Sequence, residues 1–322
     1  MAKLIDHPPQ ASRARAAWLR RYGLVLALGL VCALLAAAKP TFFTAANLVN
    51  ILRQVSINGL LAVGVTLVLL TGGVDLSLGS VVALSGVVAA SLAQPGDGPV
   101  LFAVAAGIGA GLACGLVNGA LVAYGRVAPF IATLGMMTAA RGLALVWSGG
   151  RPVSNLVPGF TALGGDWGRL PIPALLLAAV TLAVWVFLNR TRWGRHLYAV
   201  GSSAAAARAA GISVTGIRLF AYSLCGALAG LAGVVLAARI TTGQPNAGIA
   251  YELDAIAAVV IGGTSLSGGV GGVGGTILGV LLLGVINSGL DQLNVSAYYQ
   301  QIIKGAIIVG AVWLDQRSRR ES

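Results

Sequence analysis

The sequence predicts an all-α protein, a polytopic transmembrane helical bundle of about ten spans with both termini cytoplasmic. Three observations predict it. The chain is 57% hydrophobic and only 9% charged, whereas a soluble domain carries about 25% charged residues. Such a chain cannot cover itself with polar surface, so it is embedded in lipid. Apolar runs of about 17 to 25 residues, the length a helix needs to cross a bilayer, recur through nearly the whole chain. That leaves no room for a soluble catalytic domain. Finally, Lys and Arg cluster in tails and loops, as the positive-inside rule requires. This placement accounts for the net charge of +12 without a nucleic-acid partner.

A basic tail, 1–21, carries Arg13, Arg15, Arg20 and Arg21 and precedes the first apolar run at 22–38. That run ends in three alanines, as a cleaved secretory signal would. The many spans after it favour an uncleaved first span. Further runs lie at 47–70, 76–94, 99–122, 130–147, 174–190, 218–238, 253–266, 274–292 and 297–314. The run at 47–70 opens on Asn47, Asn50, Arg53 and Gln54, a polar start that suits an interfacial turn. The run at 253–266 is short and ends in glycines, which reads as a broken helix. The predicted organisation is therefore a tail at 1–21, a membrane domain at 22–314 with a cytoplasmic loop at 190–218, and a tail at 315–322. With the N-terminus inside, the inner segments hold 14 Lys and Arg and the outer loops 4. The inverse orientation would put the basic loop outside and is rejected.

Gly107, Gly111, Gly115 and Gly119 recur every four residues and share one helix face. Small residues at this spacing let helices approach closely in lipid. Gly226 with Gly230, and Gly275 with Gly279, repeat the pattern. There is also an internal echo, Leu70–Ser77 against Ile261–Ser267, of the kind that repeat-built transporters carry near broken helices.

The loop from Asn189 to Arg218 is the one long basic interruption after the N-terminal tail. It holds Arg190, Arg192, Arg195, Arg208 and Arg218 and no acid. Within it, Ser202-Ser203 is a helix-start signal, Ala204 to Ala210 are strong helix formers, and Gly211 supplies a stop. A short helix of about two turns on the cytoplasmic face is expected. It is either an ordinary topogenic loop or a handle for something in the cytoplasm to push.

Several chemistries are missing. None of the three lysines, Lys3, Lys39 and Lys304, precedes Ser or Thr, so the chain has no P-loop. His7 and His196 stand far apart, and Cys32, Cys114 and Cys225 all lie in apolar segments, so no metal site is expected. Gly269–Gly274 matches a dinucleotide fingerprint, but it lies between membrane helices instead of in a βαβ unit. Charges at membrane depth are costly and mark a pathway, a partner or a structural pair. The candidates are Asp75, Arg141, Glu252, Asp254 and Lys304, with Asn118, Thr133 and Asn287 as neutral polar groups. Asp75 can instead cap the next helix, Glu252 and Asp254 suit a helix start, and Lys304 can pair with Asp254 or snorkel. The set is too sparse for an ion-driven relay.

Four stretches carry a family resemblance. They are Thr71-Gly-Gly-Val-Asp-Leu-Ser-Leu-Gly-Ser80; Pro129 to Gly142, followed by Gly149-Gly-Arg-Pro-Val153; Gln244-Pro-Asn-Ala-Gly248; and Tyr251 to Gly269. Together they resemble the permeases of ribose-type sugar ABC importers, over roughly residues 47 to 315. The same superfamily includes branched-chain amino acid permeases, but the Asp75 turn and the 251–269 motif look closer to the sugar branch. The resemblance implies a multi-pass permease subunit in a bacterial inner membrane. Two copies would form the pathway, a periplasmic binding protein would deliver the sugar, and a separate cytoplasmic ATPase would bind ATP. No cofactor is expected in this chain. Asp75, Asn118, Thr133, Arg141, Asn246, Glu252 and Asp254 are the expected pathway or gate residues. The coupling segment falls on Gly201 to Ile212, with Gly201, Ser203, Ala206, Ala207, Arg208, Gly211 and Ile212 as its contacts. Here the chain departs from the family pattern. Ser203 stands where Asn is common, Ala204 and Ala205 where charges are common, and Arg208 where an acid is frequent. An ion-coupled secondary transporter working alone is the competing reading.

The charge count makes the topology testable. A cysteine placed at Asp166 should react with an impermeant maleimide in intact cells, and one at Ser318 should be protected. Reversed labelling contradicts the ten-span orientation.

Overall fold

Lipid offers backbone groups no hydrogen-bond partner, so each apolar run closes its bonds internally as helix. The computed structural model describes residues 10–320; the outer ends of both basic tails, 1–9 and 321–322, lie outside the described residues. In chain order the helices are α1 (Gln10–Ala38), α2 (Ala45–Leu70), α3 (Leu78–Ser91), α4 (Val100–Ala123), α5 (Pro129–Ser148) and α6 (Pro158–Thr161). They continue with α7 (Ile172–Arg190), α8 (Arg192–Ser202), α9 (Ala204–Ala209), α10 (Val214–Arg239), α11 (Tyr251–Ile261), α12 (Val273–Gln292) and α13 (Ala297–Arg320). A two-stranded antiparallel ribbon, Asp166–Trp167 with Leu170–Pro171, lies between α6 and α7.

The chain is an all-α membrane bundle, and a helix lies at each predicted span. Six of the helices are long and apolar enough to cross a membrane alone: α2, α4, α5, α7, α10 and α12. Two predicted spans are much shorter as helix than the hydropathy suggested. The run at 76–94 is helical only over the 14 residues of α3, and the run at 253–266 only over the 11 of α11. At 1.5 Å per residue these reach about 21 and 16 Å, against a hydrocarbon core of about 30 Å. Each is a half-helix that follows unwound chain, at 71–77 and 240–250. The broken reading of the second was expected; that of the first was not. Glycine at 72, with φ 76°, and the turn built around Asp75 stop the chain from continuing α2 into α3.

Contacts fix the helix directions. Residues 50, 64 and 73 of the α2 region lie beside 239, 225 and 222 of α10, so the two run antiparallel. α4 is also antiparallel to α10, with Gly111 against Gly230 and Gly119 against Leu219. α12 is antiparallel to α2, through Thr66–Thr276 and Asn47–Ser288, and α11 is antiparallel to α12, through Ala258–Gly279. The series α2, unwound chain, half-helix α3, α4, α5 therefore recurs upside down as α10, unwound chain, half-helix α11, α12, α13. The sequence echo of 70–77 with 261–267 is not this repeat, which equates 71–77 with 240–250. The echoing segments instead touch each other: a Cβ on Gly72 would stand 3.4 Å from Ser267 O.

The expected glycine faces meet at the seam between α4 and α10. A Cβ on Gly226 would stand 2.7 Å from Gly115 Cα and 2.8 Å from Gly115 N. Gly109, midway between Gly107 and Gly111 in sequence and so off this face, has nothing within 4 Å. Gly226→Leu should therefore lower the melting temperature of the detergent-purified protein, since overpacking costs about 1–3 kcal/mol, while Gly109→Leu leaves it unchanged. Equal melting of the two variants would show that the close approach is not stabilising.

Candidate functional site

The two half-helices direct their N-termini toward one another inside the bundle. The first turn of α3 meets the unwound stretch before α11 at Gly79 and Gly248, where a Cβ on Gly79 would overlap Gly248 O and Glu252 Oε2. Gly248 has φ 72° and Ala250, the residue before α11, φ 68°. The left-handed region suits glycine and strains alanine, so this bend is held by its surroundings. Helix N-termini carry partial positive charge, and Glu252 and Asp254 in the first turn of α11 answer it. Half-helix ends gathered at membrane depth are the usual construction of a translocation site.

Three side-chain anchors hold this arrangement. Arg141 on α5 donates through one nitrogen to Pro245 O at 2.6 Å and Ala247 O at 2.8 Å. It thereby ties the unwound stretch before α11 to α5. Lys304 on α13 pairs with Asp254 at 2.9 Å, half-buried. At the start of α3, Asp75 is buried and accepts from Ser77 N at 2.9 Å and Ser77 Oγ at 2.6 Å. Asn118 on α4 donates to Ser77 Oγ at 3.0 Å, and Tyr222 on α10 donates to Val74 O at 3.1 Å. Asp75 is therefore not the N-cap of α3, a position that Ser77 holds without a side-chain capping bond; it closes a turn onto Ser77 within a network that ties the unwound chain to α4 and α10.

The expected pathway residues thus separate. Arg141 and Glu252 lie together at the half-helix junction, and Asp254 lies two residues on in the same first turn of α11. Asp75 and Asn118 form the buried network. Thr133 takes no part: its hydroxyl donates to Pro129 O in the preceding turn at 2.9 Å. Asn246 sits in the stretch gripped by Arg141, with its side chain exposed. Ser77 and Tyr222 were missed. Ser77 was legible as the hydroxyl two residues after an Asp, whereas nothing local marks Tyr222.

The basic loop folds into two helices where one was expected. Ser203 does cap the predicted short helix, α9, accepting from Ala206 N at 3.2 Å, and Gly211 ends it with φ 77°. Ser203, Ala206, Arg208 and Gly211 are exposed, Ile212 is half-buried and Ala207 is buried. The 11 residues before it form α8, which buries Gly194, Leu197 and Val200 on one side. The mixed Arg and apolar spacing hid this amphipathic face. At the end of α8, Gly201 lies against Leu70 O and Gly269 N, closely enough that any Cβ there would overlap both. Tyr198 donates to Gly271 O at 3.0 Å, and burial pushes its phenol above the ordinary range, so it stays a donor. One point therefore joins α8, the end of α2 and the 262–272 loop.

A family model described as branched-chain amino acid transport system / permease component matches residues 47–312. The ribose import permease protein of Escherichia coli K12 is 48% identical over 311 residues, covering 94% of this chain and 96% of that protein. The ribose import permease protein of Bacillus subtilis 168 is 45% identical over 302 residues, 93% of this chain and 94% of its own. The galactose/methyl galactoside import permease protein of Salmonella typhimurium LT2 is 38% identical over 318 residues, 92% of this chain and 94% of its own. No solved structure matches the chain.

The Asp75 network makes a two-variant prediction. Asp75→Ala leaves the Ser77 N–H buried without an acceptor, a loss of about 1–3 kcal/mol, and should lower the melting temperature. Asp75→Asn keeps a side-chain carbonyl for the same bonds and should recover most of the loss. If Asn proves as damaging as Ala, the charge itself is what the site requires.

Proposed function

We propose a function from one premise: the chain belongs to this family of transport permease components. It is the membrane-spanning subunit of an ATP-binding-cassette importer. It passes a sugar, a ribose-like monosaccharide, from a periplasmic binding protein into the cytoplasm. The names of relatives at 38–48% identity support a sugar cargo. The family description supports a branched-chain amino acid as the second reading. The lack of a P-loop motif supports a separate ATPase as the holder of ATP, with no cofactor in this chain. A second copy of the permease completes the pathway. Both termini and the α8–α9 segment lie in the cytoplasm of a bacterium, and the bundle spans its inner membrane, with α3 and α11 as half-helices inside it. Domain limits follow the same scheme, with tails at 1–21 and 315–322 and the coupling insertion at 190–218.

The observation that carries the mechanism is the glycine contact at Gly201. Exposed α9 docks into a groove on the ATPase by the helix-in-groove mode, with Ser203, Ala206, Arg208, Gly211 and Ile212 as its contact set and buried Ala207 seating it on the bundle. Movement of α9 shifts the end of α8. Gly201 presses directly on the backbone of Leu70 and Gly269, so the shift reaches the chain leading to α3 and the loop leaving α11. Both half-helices then move, and their facing N-termini part or close. Asp75, Asn118, Arg141, Asn246, Glu252 and Asp254 shape this gate instead of forming a tight sugar site; Thr133 is the weakest member of that set.

Two variants test the coupling. Ala206→Pro with Ala207→Gly should break α9, since Pro costs about 3 and Gly about 1 kcal/mol in a helix interior. The expected result is loss of ATPase association with the permease still folded in the membrane. Gly201→Ala leaves α9 intact. It should retain the ATPase and its hydrolysis while sugar uptake into proteoliposomes falls to a small fraction. Normal assembly and uptake in both variants would make the segment an ordinary topogenic loop.

A further inference from the structure

A cavity of about 760 Å³ lies where the turn between α4 and α5 meets the start of α10. Its lining includes Arg126, Arg208 and Arg218, together with Tyr124, Thr215 and Val214, and no acid. None of the three guanidinium groups forms an ion pair or a side-chain hydrogen bond among the described residues. The backbone is shaped to present them. Arg126 has φ 54°, in the left-handed region that non-glycine residues avoid. It is held there by bonds from Gly125 N to Ala120 O at 3.1 Å and from Val127 N to Leu121 O at 3.0 Å. The first turns of two helices also border the cavity, α5 at Pro129 and α10 at Val214 and Thr215. Their partial positive charge adds to that of the arginines.

We propose that this cavity binds the phosphodiester headgroup of an anionic phospholipid. Three arginines without an ion pair among the described residues, together with two helix N-termini, select a phosphate-bearing anion over a carboxylate or a neutral ligand, because arginine matches phosphate oxygens with paired N–H donors. The surroundings select a lipid over a soluble phosphate. The rest of the lining includes Val122, Val127 and Val214. Phe130 and Ile131, just beyond Pro129, are 58% and 63% exposed on the outer face of α5, where acyl chains would lie. Basic pockets between membrane helices on the cytoplasmic side are where acidic headgroups collect. Arg208 belongs to α9, so a lipid bridging it to Arg126 and Arg218 would brace the coupling segment against α4 and α5. This goes beyond the proposed transport function and rests on that reading for the cytoplasmic placement and coupling role of α9.

The test uses the full chain, purified in detergent, stripped of lipid and examined by native mass spectrometry with added phosphatidylglycerol, cardiolipin or phosphatidylcholine. The two anionic lipids should remain bound at activation energies that strip phosphatidylcholine. Arg126→Gln with Arg218→Gln should weaken phosphatidylglycerol binding about thirtyfold, at about 1 kcal/mol per arginine removed. Arg169→Gln, which removes a distant exposed charge, should not. Arg208→Gln serves as the second variant if the pair proves unstable. Inorganic phosphate and glycerol 3-phosphate should compete poorly. The proposal is overturned by equal retention of all three lipids, by retention in both cavity variants, or by equally strong competition from the soluble phosphates. It is also overturned if no lipid binds and the variants lose the ATPase instead, which would assign the arginines to a protein contact.

Discussion

Unwound backbone at membrane depth has to be wrapped in protein, because lipid leaves its N–H and C=O groups unpaired. Much of this structure follows from two such stretches, 71–77 and 240–250. They need close neighbours that still leave room, and the glycine faces of α4 and α10 supply them. At Gly233, α10 sits so close to α3 that a Cβ there would overlap Val82 O and stand 3.0 Å from Gly86 N. It also sits near enough to α2 for the Tyr222 hydroxyl to cap Val74 O. The glycine content is thus a consequence of keeping broken helices in a bundle. A chain of uninterrupted spans would not need so much of it.

The same constraint explains the placement of the intramembrane charges. Arg141 is spent on two backbone carbonyls of the 240–250 stretch, groups that a regular helix would have satisfied itself. Asp75 performs the equivalent service for the start of α3. Lys304 and Asp254 neutralise each other across α11 and α13. Read singly, these residues look like a sparse and puzzling set of charges. Read against the unwound backbone, each has a partner, and their arrangement follows the inverted repeat: one anchor set for each half-helix.

Fold class was plain in composition, because few charges and recurrent apolar runs admit little else. The ten runs predicted ten helices, most with ends off by a few residues, although α1 starts at Gln10, well before the run at 22–38. What hydropathy could not register was the helical length of α3. Residues 76, 92 and 93 are as apolar as a helix interior, and the break before α3 goes with a hydrogen bond from Ser77 to Asp75. The repeat was equally hidden, because its halves share direction and packing but little sequence. The echo that was visible joined two segments related by contact, not by symmetry. In the basic loop the α9 cap and stop were readable from Ser203 and Gly211, which act locally. α8 was not, because the value of Gly194, Leu197 and Val200 depends on a surface supplied by other helices.

The α8–α9 insertion stands between the repeats and breaks their symmetry, and its contacts explain how one input can act on both. Gly201 meets the end of α2, which belongs to the first repeat, and Gly269, which belongs to the second. No side chain lies between these backbones, so nothing can change rotamer to absorb a displacement. α11 is meanwhile held near its N-terminus by Arg141 and Lys304, and beyond its C-terminus by the Tyr198 bond to Gly271. A helix fixed near one end and displaced at the other must tilt. Eleven residues make a stiff and short lever. In the proposed coupling a half-helix suits the role of moving part: a full span would have to shear past its neighbours along its whole length, whereas α11 would only have to pivot beside Gly79.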